Sequence, residues 1–166
     1  MLEEIEIPYD VLASVVLYRH GAKSKIPMFL QVSPELARIM AYVFADGCVS
    51  KSESVGCYQV SFSNTNMKYV EDFISCIKVV LPDVNYYVSL PTEKCTTPCT
   101  TVTIANAVVW EFFSNFKKGA ADITIPQFIL NGHEDVKYNF IGAAIDCNAS
   151  RRKSYTSSAD DRVLTT

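Results

Sequence analysis

A repeat within the chain restricts the folds open to it more than any other feature of the sequence. One apolar segment with helical spacing ends at Gly47, and a similar segment ends at Ala149. An offset of 102 residues superimposes Ile39 on Ile141 and Asp46 on Asn148. A repeat of this length predicts two halves related by a pseudo-twofold axis. Since only 17 residues follow Ala149, we expect one complete half and the beginning of a second.

Local patterns predict a compact α+β unit in the first half. A helix begins after Ser33, with Pro34 at its first position, and ends at Gly47, a typical C-terminal stop. Alternation over residues 58–63 predicts a strand with one apolar and one polar face. Two strands are expected over 84–90 and 100–104, and three helices over 67–80, 108–116 and 136–146. The first half therefore has the order helix, two strands, helix, two strands, helix.

Composition places the chain among globular proteins. Hydrophobic residues make up 49% of the sequence and charged residues 20%, enough for one core and too apolar for a disordered tail. The net charge of −3 argues against a protein that coats nucleic acid by charge alone. We expect no membrane span, no secretory signal and reduced cysteines, and therefore a cytoplasmic or nucleoid-associated protein, with an organellar origin left open.

Other catalytic patterns are missing from the sequence. It contains no Gly-rich phosphate loop, no Gly-x-Ser-x-Gly elbow and no Cys/His nucleophile pattern. Cys95 and Cys99 have no second pair of ligands for zinc. His20 and His133 are expected to be surface residues.

The two apolar segments resemble a known signature. Ile39-Met-Ala-Tyr-Val-Phe-Ala-Asp-Gly47 resembles the LAGLIDADG motif of homing endonucleases and intein-embedded endonucleases, and Ile141–Ala149 resembles its second copy. The resemblance covers about residues 25–160. It implies an α+β fold: an αββαββα half-domain with paired motif helices and the start of a second repeat. The implied division is an extension or linker over 1–30, the first half-domain over 31–119, and a linker, motif helix and incomplete second half over 120–166.

Small residues recur every fourth position in both motif helices, which lets two helix backbones approach closely. The candidate helix-interface residues are Ala37, Ala41, Ala45, Asn139, Ala143 and Cys147.

The resemblance also implies a site-specific endonuclease that hydrolyses double-stranded DNA with a divalent metal, Mg²⁺. In the family, the last acid of each motif holds the metal, which assigns this role and a catalytic role to Asp46. A cation there would offset the repulsion between a carboxylate and the negative end of a helix. The second motif has Asn148 at the acidic position and Ala149 at the glycine, with backbone near Gly47 and Ala149 completing the site. We therefore expect one strong acidic ligand, and an enzyme that is weakened, restricted to nicking, or inactive.

DNA contact in the family comes from the strands, which form a saddle in the major groove. The polar face of the predicted strand suits hydrogen bonding to DNA, although a solvated sheet face explains it as well. A basic cluster after the second motif is expected at a strand start. The candidate DNA-binding residues are Lys51, Gln59, Ser61, Ser63, Lys94, Arg151, Arg152 and Lys153.

Three alternatives remain open at this point. Asn148 favours a degenerate member that binds DNA without cleavage, or binds intron RNA as a maturase. The chain could belong to an intein, although it lacks the residues that would splice it. A purely structural α+β protein is the third. We also expect the remainder of the second half-domain, or a host protein, to lie outside this sequence.

Overall fold

The computed structural model describes residues 15–17, 24–91, 98–120 and 122–160, and for 148–160 it describes the backbone alone. The elements, in chain order, are β1 (Val16–Leu17), β2 (Ile26–Pro27), α1 (Pro34–Asp46), β3 (Gly47–Ser52), β4 (Cys57–Asn64), α2 (Met67–Val80), β5 (Tyr86–Ser89), β6 (Thr100–Ala105), α3 (Ala107–Ser114), α4 (Gln127–Leu130) and α5 (Glu134–Asp160). From α1 to α3 this is the predicted αββαββα order, which is confirmed.

One antiparallel sheet of four strands, in the order β3-β4-β6-β5, carries the fold. Its apolar face is buried under helices, with Val60, Phe62, Val102 and Ile104 fully shielded from solvent. The alternation predicted for residues 58–63 is therefore confirmed, because successive side chains of a strand point to opposite faces. A separate two-stranded ribbon joins β1 to β2.

Helix α1 lies at the centre of the core. The Ser33 side chain accepts a hydrogen bond from the Leu36 amide at 3.3 Å and caps the helix. The most extensive contact of α1 with another helix is with α5, so the predicted pairing of the motif helices is confirmed. Ala37, Ala41, Ala143 and Cys147 are all buried. That Ala37, Ala41, Ala45, Asn139, Ala143 and Cys147 together form the contact stripe stays a prediction.

A half-buried polar cluster connects α1 to α2. Tyr42 donates a hydrogen bond of 2.7 Å from its hydroxyl to Asp72 Oδ2, and Arg38 forms an ion pair with the same carboxylate. The Tyr42 ring is fully buried and packs against Phe62 and Phe73. Burial, followed by the hydrogen bond to Asp72, raises the pKa of Tyr42.

Gly47 ends α1, as predicted, but for a reason that the sequence does not reveal. Its φ of −98° and ψ of 173° are extended, so no left-handed cap is formed. Instead, the chain passes directly into β3, and a Cβ atom on Gly47 would lie 2.6 Å from the Ser61 carbonyl oxygen and from the Val43 backbone. Glycine is needed here because two backbones approach closely.

Helix α5 is longer than predicted. It runs through Asp160 instead of ending near Asp146, so Arg151, Arg152 and Lys153 lie in a helix and the expected strand start is wrong. Ala149 stands where the first motif has glycine, and alanine is the strongest helix former. The domain boundaries at residues 30 and 119 stay a prediction. Within the described residues, no helix is both long and apolar enough to cross a bilayer.

Candidate nucleic-acid interface and metal site

Asp46 is the last residue of α1, where the motif helix meets the sheet. Its carboxylate oxygen Oδ2 accepts a hydrogen bond of 3.1 Å from Asn64 Nδ2. Asn64 is buried at the end of β4, and its own Oδ1 accepts from the Asn66 amide at 2.8 Å. The Asn64 side chain is therefore fixed on both sides and orients the carboxylate. Nothing in the sequence pairs Asn64 with Asp46.

Lys117 brings a positive charge to the same end of α1. The residue is only 6% exposed, and its ammonium group donates to the carbonyl oxygens of Val43 and Phe44 at 2.9 and 2.8 Å. These carbonyls belong to the last turn of the helix, at the negative end of its dipole, and the Val43 carbonyl also accepts from the Gly47 amide. The sequence pattern does not reveal this role of Lys117, because the contact joins distant parts of the chain.

A small cavity of about 320 Å³ opens beside these groups. It is lined by Ala45, Asp46, Gly47, Cys48, Val49, Lys117, Gly119 and Ala120. The cavity thus combines one carboxylate with one buried ammonium group and main chain from the junction of α1 with β3. Such a pocket can take up a hydrated cation at the carboxylate, with an anionic ligand nearby.

The donor set fits Mg²⁺ only in part. Within the described portion of the chain, no group of three or more His, Cys, Asp or Glu residues could hold a metal. Mg²⁺ usually keeps several waters and binds through one or two carboxylates together with substrate phosphates. Asp46 fits such a site as its carboxylate ligand, with phosphate supplying further oxygens. The Asn148 side chain lies outside the described part of the structure, so its place as a ligand stays a prediction.

The sheet presents a continuous polar face away from the helices. Strand register places Gln59, Ser61 and Ser63 on this face together with residues of the three other strands. We call this set the polar face: Cys48, Ser50, Ser52, Cys57, Gln59, Ser61, Ser63, Tyr87, Ser89, Thr101, Thr103 and Ala105. None of these twelve side chains is charged, so the polar face offers hydroxyl and amide groups to a partner.

Hydrogen bonds connect side chains across the polar face. The hydroxyl groups of Ser63 and Thr101 lie 2.8 Å apart, and Gln59 donates from Nε2 to the Tyr87 hydroxyl at 3.1 Å. The structure thus places three of the predicted DNA-binding residues, Gln59, Ser61 and Ser63, on one face and adds Tyr87 to them.

Lys51 lies on the other face of the sheet. It is paired with Tyr58, and its ammonium group is 2.7 Å from the Glu53 carboxylate and 5.6 Å from the centre of the Trp110 ring. The hydrogen bond to Glu53 raises the pKa of Lys51. Lys51 and Gln59 therefore lie on opposite faces of the sheet, because a strand alternates its side chains, and contact of Lys51 with a DNA phosphate stays a prediction. Lys94 lies outside the described residues, as do the side chains of Arg151, Arg152 and Lys153.

A second cavity in the described structure is apolar and separate from Asp46. It has a volume of about 720 Å³ and lies between the β1–β2 ribbon, α1 and α3. Leu17, Leu36, Ile39 and Phe112 are among its lining residues, and it shares none with the Asp46 cavity. Its walls carry no cluster of polar groups that would perform chemistry.

Solved structures show which fold this is. The sequence matches no protein-family model and no curated protein. Mesophilic variants of the homing endonuclease I-DmoI match with a TM-score of 0.50 and 11% identity, over 70% of this chain and 62% of theirs. The same values hold for another I-DmoI variant, in complex with its target DNA in the presence of Mg. The homing endonuclease I-WcaI bound to its DNA recognition sequence matches at 0.42 with 13% identity, over 68% of this chain and 51% of that one.

The two I-DmoI matches establish the fold. The chain has the LAGLIDADG homing-endonuclease fold, as the two motifs predicted. It spans about three fifths of the length of the I-DmoI structures that it matches.

Proposed function

We propose that this chain is a homing-endonuclease-type protein that binds double-stranded DNA and hydrolyses its phosphodiester bonds with a divalent cation, Mg²⁺. The observation that carries the proposal is the position of Asp46. It ends a motif helix paired with α5, and the next residue begins the sheet that presents the polar face. A carboxylate at this junction would lie next to the backbone of a duplex bound along the sheet.

Each group of this site has a proposed task. The polar face would contact base edges in the major groove, because hydroxyl and amide groups can both donate and accept. Asp46 would hold the cation together with a DNA phosphate, and Asn64 would keep the carboxylate aimed at it. Mg²⁺, when bound, supplies an activated water and stabilises the leaving oxygen. Asn148 would contribute an amide oxygen without charge.

The complex of the I-DmoI variant supports the choice of partner and cation, since it holds target DNA and was prepared with Mg. An intein- or intron-encoded origin, and a location in the cytoplasm or nucleoid, are proposed on the family resemblance of the motifs.

Binding without cleavage is the second candidate function. Asn148 replaces the acid of the second motif, and no cluster of three metal ligands occurs among the described residues. A site with one carboxylate binds Mg²⁺ less strongly than a site with two, because the negative charge is halved. In this second candidate function the polar face binds DNA, and no phosphodiester bond is hydrolysed.

A selection followed by a cleavage assay tests both candidates. The full chain is used to select duplexes from a library with a random central segment, and the selected duplex is then incubated with Mg²⁺. We expect strand cleavage by the wild type, loss of cleavage with retained binding in Asp46→Asn, and faster cleavage by Asn148→Asp. Asp83→Asn, an exposed acid beyond α2, serves as the matched control and should cleave like the wild type.

Each other outcome has a defined meaning. Cleavage by Asp46→Asn at the wild-type rate would show that Asp46 is not the metal ligand. Tight binding without cleavage by the wild type, with cleavage restored in Asn148→Asp, would establish the second candidate. A chain that enriches no duplex would overturn both.

A further inference from the structure

We infer that Tyr87 is a specificity-determining residue, which orients the Gln59 amide for recognition of one adenine in the major groove. The inference rests on the proposed function and names a base that this face would select. It begins from the 3.1 Å hydrogen bond between Gln59 Nε2 and the Tyr87 hydroxyl.

The two residues are on strands that do not touch. Gln59 is on β4 and Tyr87 on β5, with β6 between them in the sheet. The β6 residue opposite Gln59 is Ala105, and the one opposite Tyr87 is Thr103. Side chains at diagonal positions of a sheet come within reach of each other when they are long or aromatic. Because Ala105 is small, the hydrogen bond can cross β6 at this position.

This contact leaves the Gln59 amide with one donor and one acceptor for a ligand. A primary amide has two N–H groups and a carbonyl oxygen, and one N–H is donated to Tyr87. The remaining N–H and Oε1 form the pattern that pairs with N7 and N6 of adenine. Without a partner the amide rotates, and its donor and acceptor exchange places. While the Tyr87 hydroxyl accepts from Nε2, the amide is held with Oε1 and its second N–H available to a base.

The surroundings of the pair favour recognition of a base over that of a phosphate. Tyr87 is 48% exposed, so its hydroxyl and the amide beside it are accessible to a partner. The adjoining side chains of the polar face, those of Ser61, Thr103 and Ala105, carry no charge. Phosphate contacts come largely from Lys and Arg and hold little sequence information, whereas an uncharged amide with a fixed donor and acceptor discriminates between bases.

The experiment measures base preference at every position of the selected duplex. Libraries are selected with the wild type, Gln59→Ala, Tyr87→Phe and the double variant. Tyr138→Phe is the control, because it removes the same hydroxyl group from an exposed side chain of α5. We expect one position at which the wild type prefers adenine by about tenfold, as for a good amide–adenine pair. Gln59→Ala and Tyr87→Phe should both reduce that preference to near equality, and the double variant should lose no more than Gln59→Ala alone.

The readouts separate this inference from the proposed function. In Tyr87→Phe, the base preferences at all other positions of the duplex and the midpoint of urea denaturation should stay at their wild-type values. This result would exclude a folding defect. Full adenine preference in Tyr87→Phe would overturn the inference while leaving the proposed function intact. So would a Gln59→Ala effect at a position that is not adenine. A wild type that enriches no sequence would overturn the proposed function and this inference with it.

Discussion

Lys117 donates a hydrogen bond of 2.8 Å to the carbonyl oxygen of Phe44, which lies 73 residues earlier in the chain. The ammonium group also reaches Val43, so one side chain satisfies two carbonyls at the end of the motif helix. It thereby places a cation at the negative end of α1, next to Asp46. The junction between the motif helix and the sheet depends on this long-range contact.

Replacement of Lys117 by Met should destabilise the protein. Methionine has similar length but no donor, so two buried carbonyls would lose a charged partner, and we expect the free energy of unfolding to fall by about 2 kcal/mol. Urea denaturation followed by circular dichroism measures this. Lys118→Met removes an exposed neighbour of the same type and should change the unfolding energy little. Equal stability of the two variants would show that the buried ammonium contributes nothing.

Substitution of Gly47 by Ala should disrupt the same junction. The new Cβ would lie 2.6 Å from backbone atoms of Val43 and Ser61, so the strand or helix must move. We expect a loss of about 2 kcal/mol in unfolding free energy, in the range typical of overpacking. Gly142→Ala is the matched control: its Cβ meets nothing within 4 Å on the exposed side of α5, so alanine should stabilise that helix by about 1 kcal/mol. A stable Gly47→Ala protein would argue against the close approach.

Local patterns in the sequence predicted the sheet and helices well where neighbours along the chain decide the structure. The cap at Ser33, the alternation through Val60 and Phe62, and the helix over 67–80 all depend on near neighbours and were found as expected. The length of α5 was not predicted. Its continuation beyond Ala149 depends on helix propensity without a glycine to end it, whereas the repeat had implied a second strand.

The candidate site was predicted less completely, because its contacts join distant residues. Asp46 followed from the motif, but its partner Asn64 comes from the end of β4, and Lys117 from beyond α3. The opposite faces of Lys51 and Gln59 depend on the register of β3 with β4. No local pattern supplies that register. The charge of Lys51 made it a candidate for DNA contact but does not reveal on which face of the strand it lies.

Tyr42 should make the free energy of unfolding depend on pH in the alkaline range. Burial and the hydrogen bond to Asp72 raise its pKa above the value of about 10 expected in the unfolded chain. The folded state therefore holds the phenol proton more tightly, and this contribution is complete below about pH 10 and is lost as pH rises above it. Wild type should be more stable than Tyr42→Phe at pH 8, and the difference should narrow towards pH 11.

Urea denaturation at several pH values measures this difference directly. Tyr138→Phe removes an exposed hydroxyl from α5, and its difference from wild type should not vary with pH. A gap between wild type and Tyr42→Phe that stays constant from pH 8 to pH 11 would contradict the raised pKa.

A lysine introduced on the polar face should change how salt affects DNA binding. The face has no charged side chain, so its own contacts with DNA should release few counterions. Ser50 is exposed on this face, and Ser50→Lys would add one cation that can contact a phosphate. We expect tighter binding and a slope of log K against log salt that is steeper by about 0.9, the value for one additional phosphate contact.

Fluorescence anisotropy with the selected duplex over a range of salt concentrations measures the slope. Val79→Lys adds the same charge at an exposed position on α2, behind the sheet, and should leave the slope near that of wild type. Equal slopes for the two lysine variants would mean that the polar face does not lie against the DNA backbone, and would direct attention to the helical side of the molecule.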